Sequence, residues 1–127
     1  MKIAVLIARV LLGLIFVIFG LNGFLQFIPS PPLPTGLAGD FTHVFLQSHY
    51  VLVVSAFQVV GGALVLINRY VPLGLALLGP VLVNILAYHL LMHPAGIQVG
   101  LFTAILWFFL FFHYRKYFAS LFVPKAQ

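Results

Sequence analysis

Ile3-Ala-Val-Leu-Ile-Ala-Arg9-Val-Leu-Leu-Gly13-Leu-Ile-Phe16-Val-Ile-Phe-Gly20-Leu-Asn22-Gly23-Phe-Leu-Gln26-Phe27-Ile28 decides the class of this protein. A membrane-crossing helix needs about 20 apolar residues to cover about 30 Å of hydrocarbon, and this run is longer than that with Arg9 as its one charge. Arg9, Gly13, Phe16, Gly20, Gly23 and Phe27 recur at spacings of 4, 3, 4, 3 and 4, so they form one helical stripe. Lipid gives no hydrophobic drive between helices, and small residues permit close approach instead. The stripe therefore reads as a face packed on other helices. A signal peptide is excluded as a reading because the run is too long, Arg9 interrupts it and no clear Ala-x-Ala site follows.

The rest of the chain fits this start. Of 127 residues, 64% are hydrophobic and 6% charged. Soluble domains carry about 25% charged residues, so an ordinary water-soluble fold is excluded, as is disorder. Three further apolar stretches follow, giving spans over about 3–28, 50–67, 71–93 and 96–114, with an interfacial tail over 115–127. The expectation is an all-α, four-transmembrane-helix antiparallel bundle forming a single domain over 1–127. A Pro-rich outer loop begins at Pro29, and Phe41 to Ser48 reads as a short interfacial helix with Asp40 as its N-cap. With four spans, Lys2, Arg9, Arg69, Arg115, Lys116 and Lys125 all fall on one side. That side is expected to be cytoplasmic, with both termini inside a bacterial-type inner membrane.

The charge of +5 does not indicate nucleic acid, because the basic residues are scattered at span ends and form no phosphate-tracking patch. The absence of Cys removes thiolate zinc sites, iron–sulfur clusters and cysteine nucleophiles. Asp40 is the one acid, so no span holds a carboxylate for proton relay or cation coupling. There is no nucleotide loop, no nucleophile–base pair and no internal repeat, and catalysis by the chain alone is not expected.

Candidate functional residues are few. Arg9 has no carboxylate on its side of the membrane, so its partners are backbone carbonyls, lipid phosphate, an anionic ligand or an acid on another protein. Gln58 and Asn84 fall near mid-membrane. Either they hydrogen-bond the helices to each other, or they line a site for a carbonyl-bearing ligand such as a quinone head group. Asn22 and Gln26 are read as satisfied by solvent or the outer loop. His89 and His93 share a helix face and are weak metal candidates without Cys, Asp or Glu beside them, so no metal is expected. Packing positions are Gly13, Gly20 and Gly23 in the first span, Gly61 and Gly62 in the second, and Gly96 and Gly100 in the fourth.

The segments Arg9 to Phe24, Gln58-Val-Val-Gly61-Gly62 through Asn68-Arg69-Tyr-Val-Pro72, and Gly79-Pro80-Val-Leu-Val-Asn84 through His89 together resemble the DoxX-like family of small four-helix membrane proteins. The resemblance runs in order over nearly the whole chain. Family members often carry Glu where this chain has Gln58, and often Gly where it has Asn68. The resemblance implies the fold; the family's namesake is associated with a membrane thiosulfate:quinone oxidoreductase, and other members are linked to oxidative-stress assemblies. The leading expectation is a non-catalytic accessory or structural subunit of an inner-membrane electron-transfer or other redox complex, with no intrinsic cofactor. Its partners are then membrane lipids and other subunits or copies of itself. The alternative is a stand-alone or homo-oligomeric bundle that binds a quinone or lipid, and a transporter or channel ranks last.

Overall fold

The computed structural model describes residues 1–29 and 32–126. Ser30 and Pro31 of the Pro-rich loop and the last residue of the expected tail, Gln127, lie outside the described residues. The described chain is all-α, with five helices: α1 (Lys2–Leu25), α2 (Gly36–Gln47), α3 (Tyr50–Leu66), α4 (Val71–Leu91) and α5 (Ile97–His113). Two short 3₁₀ turns, Arg115–Tyr117 and Ala119–Phe122, follow α5.

At 1.5 Å per residue, α1 and α4 are about 36 and 32 Å long, enough to cross a bilayer. The other apolar helices, α3 and α5, have 17 residues each, about 25 Å. By length and apolarity two helices qualify as spans, and three do if α2 and α3 count as one span bent by 81°.

The helix α2 starts earlier than the sequence suggested. It begins after Thr35, which takes extended backbone angles, and Asp40 lies inside it rather than capping it. Gly39 makes this start feasible, because a Cβ there would overlap the Pro34 carbonyl oxygen. Tyr88 on α4 holds α2 in place. Its hydroxyl donates to Thr42 Oγ1 at 3.3 Å, while the Thr42 hydroxyl donates to the Ala38 carbonyl at 2.8 Å. The Phe41 and Tyr88 rings add a contact with centroids 5.5 Å apart.

The helices α1, α3, α4 and α5 pack in a closed ring, each against two others. Glycine contacts give the direction of each pair. Gly13 lies against Leu66 and Gly62, Gly20 against Val59 and Gln58, and Gly23 against Ser55, so α1 and α3 run oppositely. Gly61 against Gly74 and Leu78 does the same for α3 and α4. A Cβ on Gly61 would sit 2.8 Å from Leu78 Cγ, and one on Gly74 would sit 2.8 Å from the Gly61 carbonyl oxygen. Gly100, beside Leu86 and Ile85, marks the α4–α5 contact. Gly96 has a different place. It precedes α5 at φ 84°, a left-handed conformation that favours glycine, with only His89 nearby.

The packed core lies at the end that carries both termini. Leu12, Phe16, Val65, Leu75, Leu78 and Leu110 are almost fully enclosed there, with Phe118 of the tail folded back onto them. Many large apolar side chains, including Ile7, Ile18, Phe57, Val83, Ile105 and Phe108, are exposed on the outside of the ring. Water would penalise such a surface heavily.

Candidate functional site

The opposite end of the ring is hollow. A cavity of about 430 Å³ opens there, lined by all five helices. Its apolar walls include Phe16, Phe19 and Ile85. Its polar lining comprises Asn22 from α1 and Gln26 just after it, Ser55 and Gln58 from α3, His89 from α4 and Thr103 from α5. Ligand pockets are commonly a few hundred Å³, mostly apolar, with a few convergent polar groups.

Hydrogen bonds determine what each polar group can offer. Asn22 Oδ1 accepts from the Ile28 N–H at 2.8 Å, which leaves its amide N–H groups as donors. His89 Nδ1 donates to the His93 carbonyl at 3.0 Å, so Nε2 is the acceptor of the neutral ring. Thr103 donates to the Val99 carbonyl at 2.7 Å and keeps its lone pairs free. Gln58 makes no side-chain hydrogen bond among the described residues and is half-buried on the cavity wall. Ser55 is 3% exposed, and Gly23 makes its place: any Cβ on Gly23 would overlap the Ser55 hydroxyl. Gly20 likewise gives room to Gln58, whose Cβ a Gly20 Cβ would approach to 2.9 Å.

The cavity therefore holds amide and hydroxyl groups, the His89 imidazole and aromatic walls, with no Asp, Glu, Lys or Arg among its lining residues. This suits an uncharged amphipathic molecule that bears oxygen acceptors. Among the described residues no carboxylate lines it.

The sequence candidates separate. Gln58 is on the cavity wall. Asn84 is exposed on the outside of α4, and its Nδ2 donates to the Pro80 carbonyl one turn back at 2.8 Å. Among the described residues neither amide makes a hydrogen bond to another helix. Asn84 cannot bridge because Pro80 sits one turn before it on the same face, offering a carbonyl within its own helix. Asn22 and Gln26, assigned to loop or solvent, both line the cavity. His89 and His93 have ring centroids 6.4 Å apart, with one ring bonded to the other's backbone. No group of three or more His, Cys, Asp or Glu that could hold a metal occurs among the described residues.

Arg9 is buried at the packed end. Its Nη1 donates to the Val65 carbonyl at 3.0 Å and the Leu66 carbonyl at 3.2 Å. These are carbonyls of the last turn of α3, at the negative end of the helix dipole; the Val65 carbonyl also accepts the Asn68 N–H at 3.4 Å. Asn68 ends that helix at φ 61°, a conformation that Gly and Asn tolerate best.

One structural group had no signal in the sequence reading. Trp107 Nε1 donates to the Leu75 carbonyl at 3.0 Å, and Gly79 leaves space for its ring, since a Cβ there would sit 3.3 Å from Trp107 Cζ2.

No curated protein and no solved structure matches the chain. The family model described as DoxX matches residues 4–94, which include α1 from Ala4 onward, α2 to α4 and every polar cavity residue except Thr103. On that match the chain belongs to the DoxX family.

Proposed function

We propose that this DoxX-family chain is a four-span membrane protein, N-in and C-in, whose outward half binds an uncharged, oxygen-bearing lipophilic molecule such as a quinone. The observation that carries the reading is the polar-lined cavity of about 430 Å³ in a bundle that is tightly packed only at its other end. The four-span arrangement is supported by the closed helix ring and by the apolar exterior. The orientation is supported by Lys2, Arg9, Asn68 and His113 lining one cleft, which brings the chain start, the α3–α4 turn and the end of α5 to one end of the bundle. In this reading Gln58 and the Asn22 amide donate to ligand oxygens, and Phe16 and Phe19 pack its ring or chain.

The accessory-subunit reading drew on the small size, the lack of catalytic groups, the rich Phe content and an Arg9 with no internal acid to pair with. Two backbone carbonyls meet part of that need, which shifts the weight toward the cavity. The test is binding of a short-chain benzoquinone to the purified chain in mild detergent. Saturable binding is expected, weakened by Gln58→Leu and by Val99→Phe at the exposed rim. Absence of saturable binding would return the protein to the accessory-subunit reading.

A further inference from the structure

A second, smaller cleft of about 220 Å³ lies at the packed end of the bundle, separate from the outer cavity. Lys2, Arg9, Asn68 and His113 line it, with Val5 and Leu6 on its apolar side. The Arg9 guanidinium is the informative group. It has five N–H donors, and the two carbonyl bonds of α3 use Nη1 alone. Arg9 as a residue is 9% exposed, yet no buried side-chain nitrogen is left without a partner among the described residues. Nη2 and Nε make no hydrogen bond among the described residues and are not fully enclosed, and Arg9 is one of the residues that line the cleft.

A buried cation with free donors facing a cleft is costly without an anion. Among the described residues no acidic side chain supplies one. Asp40 is the chain's one acidic residue, and it sits on α2, which packs at the opposite end. The cleft also receives Lys2, and α1 begins there with no acidic residue in its first turn and no side-chain cap. Its free N–H groups and dipole add to the positive potential. Guanidinium forks match phosphate oxygens well. The apolar side formed by Val5 and Leu6 suits the glycerol and upper acyl chain of a lipid more than a free ion.

From this geometry we infer a site for a phosphate anion, supplied by the headgroup of an anionic phospholipid. The phosphate takes the free Arg9 donors, with Lys2 and His113 at the rim and the lipid tail lying along Val5 and Leu6. The site is independent of the outer cavity, and neither reading depends on the other.

The test is native mass spectrometry of the delipidated full chain. Phosphatidylglycerol and phosphatidylcholine with the same acyl chains are titrated in turn, then repeated with excess inorganic phosphate. Phosphatidylglycerol is expected to be retained in clear preference. Lys2→Gln, an exposed position, is expected to weaken it about fivefold, the scale of one basic residue at an anionic surface. Arg9→Lys, which keeps the charge but loses the fork, is expected to weaken it as well. Equal retention of the two lipids would overturn the proposal, and so would unchanged retention in a folded Lys2→Gln protein. Displacement of phosphatidylglycerol by inorganic phosphate would overturn the lipid source and assign the site to the free ion.

Discussion

Gly13→Ala tests the contact that couples helix packing to Arg9. The added Cβ would sit 2.7 Å from Leu66 Cβ, 2.9 Å from the Gly62 carbonyl oxygen and 3.0 Å from Leu66 Cα. Ordinary contact is 3.4–4 Å, so the approach is too close by about 1 Å. Backbone and Cβ atoms cannot rotate away, so α3 must move. A shift of about 1 Å would carry the Val65 and Leu66 carbonyls from 3.0 and 3.2 Å to beyond hydrogen-bond range of Arg9. Overpacking costs about 1–3 kcal/mol, and losing hydrogen bonds to a charged group costs a further ~1.5–3 kcal/mol. Because the two losses share one movement, the expected total is about 2–4 kcal/mol. In thermal unfolding of the detergent-solubilised protein this is a fall in Tm on the order of 10 °C. Ala56→Leu, on the exposed side of α3, is the control and should leave Tm nearly unchanged. The coupling is read from Arg9→Leu. It should cost clearly less in the Gly13→Ala background than alone, because the bonds are already broken there. A Tm for Gly13→Ala equal to the parent's, or strict additivity with Arg9→Leu, would refute the reasoning.

Other outcomes follow from single contacts. Trp107→Phe removes the bond to the Leu75 carbonyl while leaving the stacked ring against Phe111, and should cost about 1 kcal/mol by thermal unfolding. Asn68→Ala places a residue with no polar side chain at φ 61° and should cost about 1 kcal/mol in the same assay. The chain has no Cys, so single-cysteine variants report sidedness cleanly. Ser48→Cys should react with a membrane-impermeant maleimide from outside intact cells, and Ser120→Cys only after lysis; the reverse pattern would invert the proposed orientation.

The apolar helices and the glycine stripe of α1 were legible because both rest on local order, namely hydropathy and a period of 3.6. Glycines 13, 20 and 23 could be placed on one face without knowing which helix they meet. The start of α2 was not legible. Asp40 looks like an N-cap, but the backbone at Thr35 and the small Gly39 allow an earlier turn that sequence propensities disfavour. The cavity was only partly legible. Gln58 stood out as an amide within an apolar run, whereas Asn22, Gln26, His89 and Thr103 converge through interhelical register, which a single sequence does not carry. Asn84 looked equivalent to Gln58 in depth, yet helical phase turns it outward and Pro80 supplies its partner. Arg9 was recognised as a charge needing partners, but which carbonyls it meets depends on where α3 ends.

The central claim is that the hollow outer half of the bundle is a binding site. Mass spectrometry of the complex, extracted gently from native membranes, tests it most directly by weighing the intact assembly and identifying what is released. One neutral, oxygen-bearing lipophilic molecule per chain is expected, reduced in Gln58→Leu and in Val99→Phe at unchanged expression. A chain that carries phospholipid alone, or one found with stoichiometric protein subunits and no small molecule, would contradict it.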